Sequence, residues 1–421
     1  MTALLALPLV LCTMSMSEVK VPEEPHSQKD AICSINQPSV AENSKSQDEE
    51  IYQTNWQKAM SRIDSLLSTR YDKSGPGAAI LIARGDSVLI DKGYGLADLT
   101  SGTKIDGNTM FNIASVSKQF TAVGILKLQE MGKLNIDDRI SKYFPNFADK
   151  RWKRIRLRHL MSHSSGVPDA RTGSKDFILY ATDAQSISYM AALDSFKFNP
   201  GTGYDYINPT FDLLGIINGQ VSGLGFDEYQ RQYVFEPSGM KSVTYFEAGK
   251  AIQNMAHGYV PDENDGIGPN VENGNQSPTT NNWKERDYGE ESFFATKADG
   301  GIYTTTHELL NWENALRDCK CISAASRDLA YGKHIKVSGS KWCDYQNRTN
   351  TWYGYGWFID DTPGKPLKVY HTGDNGGFQA YLAKYPSCDV KVIMLENRND
   401  IDRWTTQLAI EKILLEEGIL R

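Results

Sequence analysis

Strand-like runs occur near both ends of this chain, and helical patterns occupy the long stretch between them. The first two runs, GAAILIARG and DSVLIDKGYG, are separated by the turn residues Arg84, Gly85 and Asp86, which predicts a β-hairpin. Later runs are YGYGWFID, KVYHTG, FQAYLAKYP and VKVIMLENR, followed by a final helical pattern in RWTTQLAIEKILLEE. This order predicts one sheet completed by distant segments, with a mainly helical insertion at about 130–290. The predicted fold class is α/β (α+β).

The folded domain is predicted to cover residues 55–421, because the segment WQKAMSRIDSLLSTRY is the first with apolar residues at helical spacing. Residues 18–54 are rich in Ser, Glu, Gln, Asn and Pro and lack a periodic apolar face, so a polar linker is expected there. The chain is long enough to bury a large core within one such domain.

Residues 1–17 have the pattern of a signal peptide. Their apolar run is too short to span a bilayer and is followed by small residues at Ser15 and Ser17, although no Lys or Arg precedes it. We therefore expect an exported protein, periplasmic or extracellular, with no stable membrane span. A lipid anchor on Cys12 is the alternative, and the bulky Leu11 before it argues against that site.

Composition narrows the classes of partner and cofactor. The formal net charge is −7, without a basic stripe or interleaved aromatic and basic residues, so nucleic-acid binding is not expected. The cysteines show no paired C-x-x-C spacing, and we predict no metal site and no cofactor. For an exported protein, one or two disulfides are plausible among Cys319, Cys321, Cys343 and Cys388, with undetermined pairing.

Ser115 and Lys118 open a long amphipathic segment, FNIASVSKQFTAVGILKLQEMGKL, that has the spacing of a helix. Residues three apart lie on one helix face, so a desolvated Lys118 can accept the proton of Ser115 and activate it as a nucleophile. The alternative is that Ser115 caps the helix and Lys118 extends to water. Spacing alone does not decide, since Ser-x-x-Lys occurs five times in this chain.

A second polar pair, Tyr206 and Asn208, follows the turn residues of PGTGYDYIN. In a rigid loop both side chains can point into one cavity, where a phenol can carry protons and an amide can bind a substrate amide. Taken alone, the pair is equally typical of an ordinary turn.

A third cluster is His371, Thr372 and Gly373, on the strand-like run VYHTG. Glycine at this point allows a substrate to approach the backbone closely. The N–H groups of Asp374 and Ser115 are the candidates for an oxyanion hole.

Together and in this order, the three clusters resemble the class C β-lactamase-like serine hydrolases, which include D-Ala-D-Ala carboxypeptidases and β-lactamase-fold esterases. The flanking segments IRLRHLMSHSSGVPD, PGTGYDYIN and TKADGGIYTTTHELLNW look like segments of the same family. In that family the first of these is structural, which argues against a metal site at His159 and His163. The resemblance covers about Asn55 to Arg421.

The resemblance implies a β-lactamase/transpeptidase-like fold, in which an antiparallel sheet is flanked by helices. It also implies a role for each matched residue: Ser115 as the acylated nucleophile, Lys118 as its proton acceptor, Tyr206 as the proton carrier, Asn208 as a substrate-amide contact, and His371, Thr372 and Gly373 as the edge strand along which substrate lies.

His371 departs from the pattern of the β-lactamases themselves, which typically have lysine there. A lysine supplies a fixed positive charge for the carboxylate of a β-lactam, whereas histidine is mostly neutral at pH 7. We therefore favour a D-peptidase or esterase-like hydrolase of small-molecule or peptide substrates, including cell-wall-derived peptides. A true β-lactamase is the second choice. A non-catalytic penicillin-binding or sensor module on the same fold is the third, and the oligomeric state is undetermined.

Overall fold

We analysed a computed structural model of the chain. It describes residues 40–147, 150–169, 187, 190–191, 193, 195–247, 250–262, 282–286, 296–337, 350–400 and 403–420. The predicted signal peptide and most of the predicted linker lie outside these residues. Contacts divide the chain into two units, Met1–Glu49 and Glu50–Arg421, and the second unit contains all of the predicted site residues.

One large antiparallel sheet contains most of the long strands. Among the described residues its order is β10-β11-β12-β13-β14-β15-β1-β2, and smaller sheets pair β3 with β4, β5 and β6 with β9, and β7 with β8. The strands are β1 Ala78–Arg84, β2 Ser87–Tyr94, β3 Leu96–Asp98, β4 Thr103–Lys104, β5 Phe111–Asn112, β6 Val243–Tyr245, β7 Tyr259–Pro261, β8 Trp283–Glu285, β9 Ile302–Thr304, β10 Ile335–Lys336, β11 Thr351–Tyr353, β12 Phe358–Asp360, β13 Lys368–Asn375, β14 Phe378–Tyr385 and β15 Val390–Glu396.

The predicted hairpin and the sheet built from distant segments are both confirmed. β1 pairs antiparallel with β2 across the turn at Gly85, which has a φ of 57°. On its other edge β1 pairs with β15, from Ala78 opposite Glu396 to Arg84 opposite Val390. The two ends of the domain are therefore joined by backbone hydrogen bonds within one sheet.

Both faces of this sheet are covered by apolar packing, which explains why its central strands are continuously hydrophobic. Alternate residues of β1 belong to different clusters: Leu81 packs with the helical region on one face, whereas Ile80 and Ile82 pack on the other. The second face is covered by the first and last helices of the domain, through residues such as Trp56 and Leu414.

The α-helices surround the sheet in chain order. They are α1 Val40–Arg70, α2 Ser117–Glu130, α3 Leu157–Met161, α4 Pro209–Ser222, α5 Phe226–Gln230, α6 Thr306–Arg317, α7 Ala324–Ala330 and α8 Arg403–Glu416. Shorter 3₁₀ turns cover Ala114–Val116, Ile140–Lys142 and Trp152–Arg154, and a π-helical turn covers Arg231–Phe235.

Two predictions about the organisation need correction. Helix α1 begins at Val40, inside the segment 18–54 predicted as linker, because no glycine or proline interrupts the chain from there to Arg70. The insertion at about 130–290 also contains the short strands β6, β7 and β8 beside its helices.

The cysteines and the helices bear on the predicted export. Cys319, Cys321 and Cys388 are free thiols, so the plausible disulfides among these three are absent, and Cys343 lies outside the described residues. No helix in the described part of the chain is long and apolar enough to cross a membrane.

Candidate active site

Ser115 lies on the 3₁₀ turn that leads into α2, one step before the α-helix predicted to carry it. The preceding residue, Ala114, has a φ of 45°, an uncommon left-handed conformation for a residue with a Cβ. Asn112 Oδ1 accepts a hydrogen bond from the Ala114 N–H at 2.9 Å and holds this turn. The strained backbone leaves Ser115 half-buried rather than enclosed.

Lys118 is fully buried, with 0 % of its surface exposed, so the alternative in which it extends to water is wrong. Its Nζ lies 3.0 Å from Ser115 Oγ and 2.6 Å from the carbonyl oxygen of Asp299. A buried amine needs such polar partners, because desolvation without them is costly. The geometry thus places a nitrogen base within proton-transfer distance of the serine hydroxyl.

Tyr206 is the third member of the group that the structure brings together. Lys118 Nζ lies 5.1 Å from the centre of the Tyr206 ring, close enough for a cation–π contact. The loop that carries Tyr206 follows Gly201, whose φ of 83° permits the turn, and the Gly201 N–H donates to Ser164 O at 2.8 Å. The predicted rigid loop therefore exists, and it directs Tyr206 towards the Ser115–Lys118 pair.

Asn208 lies at the end of the same loop, where it precedes the first turn of α4. Its Oδ1 is buried and has no hydrogen-bond partner among the described residues. A buried acceptor of this kind is costly unless a donor reaches it, and a substrate N–H can provide that donor.

His371 is almost fully buried on β13, with 1 % exposed. Its Nδ1 lies 2.6 Å from the Thr372 carbonyl oxygen, and since a carbonyl only accepts, this nitrogen carries a proton. Its Nε2 lies 2.9 Å from the Tyr353 hydroxyl. Both ring nitrogens are therefore engaged by the protein itself.

The prediction that His371, Thr372 and Gly373 form an edge strand is wrong for the sheet as a whole. Strand β13 lies between β12 and β14. Its pairing with β12, however, involves only Lys368, Val369 and Tyr370. The short length of β12 leaves 371–375 beyond this pairing, so these residues form a local edge next to the Ser115 turn.

Gly373 has a packing reason that the sequence did not show. A Cβ at this position would lie 2.3 Å from the carbonyl oxygen of Ile113 and 3.0 Å from Ala114 Cβ. The glycine therefore allows β13 to lie directly against the turn that carries Ser115. This contact also brings together the two segments that contain the N–H groups of Ser115 and Asp374, whose role as an oxyanion hole stays a prediction.

Two residues of the site were missed as functional by sequence reasoning, His163 and Tyr353. Both are fully buried, and their ring centroids lie 4.8 Å apart. Burial, and then the positive charges of Lys118 and His371, hold the pKa of His163 well below its ordinary value. In the described part of the chain, no three His, Cys, Asp or Glu residues are grouped so that they could hold a metal ion.

Comparison with known proteins gives one family match. The sequence model of the family described as Beta-lactamase matches residues 61–410, which is most of the chain. Among curated proteins, the chain is 25% identical over 357 residues to penicillin-binding protein 4* of Bacillus subtilis (strain 168), a match that covers 82% of this chain and 73% of that protein.

Solved structures agree on the fold. The octameric penicillin-binding protein homologue from Pyrococcus abyssi matches with a TM-score of 0.70 and 24% identity, and covers 85% of this chain and 77% of that one. D-amino acid amidase from Ochrobactrum anthropi SV3, solved with D-phenylalanine, matches with a TM-score of 0.68 and 19% identity, over 86% of this chain and 99% of that one. The predicted family and fold class are confirmed.

Proposed function

The chain belongs to the beta-lactamase family, and from that premise we propose that it is a serine hydrolase that forms an acyl-enzyme on Ser115. The observation that carries the proposal is the 3.0 Å separation between Ser115 Oγ and the Nζ of the fully buried Lys118. A serine hydroxyl is a weak nucleophile by itself and needs an adjacent base.

In the proposed reaction, Ser115 Oγ attacks a substrate carbonyl carbon while its proton passes to the neutral amine of Lys118. The oxyanion of the tetrahedral intermediate accepts hydrogen bonds from the N–H groups of Ser115 and Asp374. Tyr206 relays the proton from Lys118 to the leaving group as the bond to that group breaks. Water then attacks the acyl-enzyme, gives up its proton by the same route, and the acid product leaves with Ser115 restored.

The surroundings of His371 favour D-peptide, amide or ester substrates over β-lactams. A β-lactam carboxylate is best held by a fixed positive charge, whereas both nitrogens of His371 already have partners in Thr372 and Tyr353. The fold neighbour named as a D-amino acid amidase supports amide hydrolysis as one activity to test. The unpartnered Oδ1 of Asn208 suits a substrate with an amide N–H at this point.

Two other functions remain as alternatives, and one panel of substrates separates all three. We propose to measure turnover of p-nitrophenyl esters, D-alanyl-D-alanine peptides and nitrocefin by the wild type and by Ser115→Ala. We expect Ser115-dependent turnover of an ester or peptide. Dominant turnover of nitrocefin would instead identify a β-lactamase. Equal rates for both proteins on every substrate would favour a binding or sensor module.

A covalent label tests the nucleophile directly. After incubation with an acylating fluorophosphonate, mass spectrometry of the digested protein is expected to find the adduct on Ser115 alone. An adduct elsewhere, with Ser115 unmodified, would overturn the assignment. Export also stays a proposal, and N-terminal sequencing of protein recovered from outside the cell tests it, with cleavage after residue 17 as the expected result.

A further inference from the structure

We propose that His163 is a positioning residue that holds Tyr206 in its proton-transfer position. The inference rests on the proposed function, because it assigns His163 a part in the same reaction. His163 lies 43 positions before Tyr206 in the chain. The first step of the argument is therefore how the fold brings these two residues together.

His163 holds the backbone on both sides of Tyr206. The N–H of Asp205 donates to the His163 carbonyl oxygen at 2.9 Å. The N–H of Ile207 donates to His163 Nδ1 at 3.1 Å. One residue thus fixes the main chain immediately before and immediately after the tyrosine, and this limits rotation of the segment that carries its phenol.

The His163 ring also contacts the tyrosine ring itself. The two ring centroids lie 4.1 Å apart with an interplanar angle of 36°. On its other sides the imidazole packs against Phe211 at 5.1 Å and Tyr353 at 4.8 Å, and it is fully buried. Close packing of this kind leaves the Tyr206 ring little room to move away from Lys118.

The hydrogen bond from Ile207 requires a neutral imidazole. Since Nδ1 accepts a backbone N–H, the ring proton must be on Nε2, and a second proton on Nδ1 would break the bond. Burial and the nearby charges of Lys118 and His371 hold the pKa of His163 well below its ordinary value, so the bond persists at neutral pH.

The backbone of His163 supports a specific requirement at this position. Its φ is 53°, in the left-handed region where asparagine is tolerated better than most other residues with a side chain. Its contacts among the described residues are with the Tyr206 segment and neighbouring rings, and they do not include Ser115. His163 therefore acts through Tyr206 rather than on the reacting atoms.

A double-mutant cycle tests this dependence. The proteins are the wild type, His163→Phe, Tyr206→Phe and the double variant, and the measurement is the rate of Ser115 acylation by a p-nitrophenyl ester under single-turnover conditions. Phenylalanine keeps a ring at 163 but cannot accept the Ile207 N–H. We expect His163→Phe alone to slow acylation by about 10- to 100-fold, as a small misplacement of a catalytic group does.

In the Tyr206→Phe background, the same substitution is expected to change the rate by less than about twofold, because the group that it positions is already gone. Equal losses in both backgrounds would overturn the inference. Loss of Ser115 dependence in the wild type would instead overturn the proposed function, so the two failures are distinguishable.

His163→Asn separates positioning from folding. Asparagine tolerates the left-handed backbone and offers an oxygen to the Ile207 N–H, so we expect a rate above that of His163→Phe. If His163→Phe does not fold, as judged by near-UV circular dichroism, the cycle is run with His163→Asn and His163→Ala. A rate for Asn no higher than for the non-accepting variant, at an equal melting temperature, would contradict the proposed role of Nδ1.

Discussion

Lys118 Nζ contacts Ser115 Oγ at 3.0 Å and the carbonyl oxygen of Asp299 at 2.6 Å. Because the lysine has no exposed surface, these contacts, rather than bulk water, determine where its polar head lies. The carbonyl oxygen fixes the amine from one side and leaves it directed at the serine. This relationship gives the first prediction.

Replacing Lys118 by methionine is expected to slow acylation of Ser115 by about 10²- to 10⁴-fold, the usual loss when a general base is removed. Methionine fills similar space without a buried charge, so the melting temperature should not fall enough to explain the loss. Single-turnover acylation and a thermal melt measure the two quantities. Lys127→Met on the same helix is the matched control, since that side chain is 27% exposed, and an equal loss there would contradict the assignment.

Gly373→Ala is expected to lower both stability and acylation. The new Cβ would lie 2.3 Å from the Ile113 carbonyl oxygen, so β13 or the turn of Ser115 must shift. Such overpacking costs about 1–3 kcal/mol in the free energy of unfolding. Gly75→Ala is the control, because its new Cβ meets nothing closer than 3.7 Å. Urea unfolding that gives equal values for both variants would show that the strand is free to adjust.

The sequence predicted features that depend on local spacing. The β1–β2 hairpin follows from two runs and a turn, and the Ser115–Lys118 contact follows from residues one helical turn apart. The start of α1 was missed, because a polar helix lacks an apolar face, although the absence of glycine and proline was a usable signal.

Features that depend on tertiary packing were not predictable from one sequence. The short β12 determines which part of β13 is an edge, and strand length at that point depends on its neighbours. The bond from the Ile207 N–H to His163 Nδ1 joins a backbone group to a ring far away in the chain, and no side-chain pattern encodes it. The packing of Ile113 against Gly373 is hidden for the same reason.

Glu396 is expected to make stability depend on pH. Burial raises its pKa to about 7, partly offset by the hydrogen bond that Tyr71 Oη donates to Oε1 at 2.5 Å. Because the folded pKa lies above the unfolded one, the favourable contribution is complete below pH 4.5 and is lost as the pH rises through 7. A shift of this size corresponds to about 3 kcal/mol.

Glu396→Gln removes this titration. The unfolding free energy of the variant minus that of the wild type should therefore rise by about 3 kcal/mol or less between pH 4.5 and 8. Urea titrations at both pH values measure it, and the difference cancels the opposite acid dependence of His163. Tyr71→Phe should steepen the wild-type dependence, since it removes a hydrogen bond that lowers the pKa. A pH-independent difference would show that Glu396 is not buried in the folded protein.

Lys368 and Glu411 form a buried ion pair that ties the C-terminal helix α8 to the strand β13, which also carries His371. Nζ and Oε2 are 2.9 Å apart, the two side chains are 1% and 6% exposed, and Tyr385 Oη donates to the same oxygen at 3.1 Å. Lys368→Met leaves the carboxylate buried without its counter-charge, which should cost about 3–5 kcal/mol in the free energy of unfolding.

The double variant Lys368→Met/Glu411→Leu decides whether this cost comes from the lone charge or from lost packing. With both charges removed, no buried ion remains to be desolvated, so most of the lost stability should return. Equilibrium unfolding of the wild type, both single variants and the double variant measures the coupling. Because the pair acts on the position of β13, ester turnover should recover with stability. Additive losses would show that the side chains act independently and that the charge pair does not hold α8 on the catalytic strand.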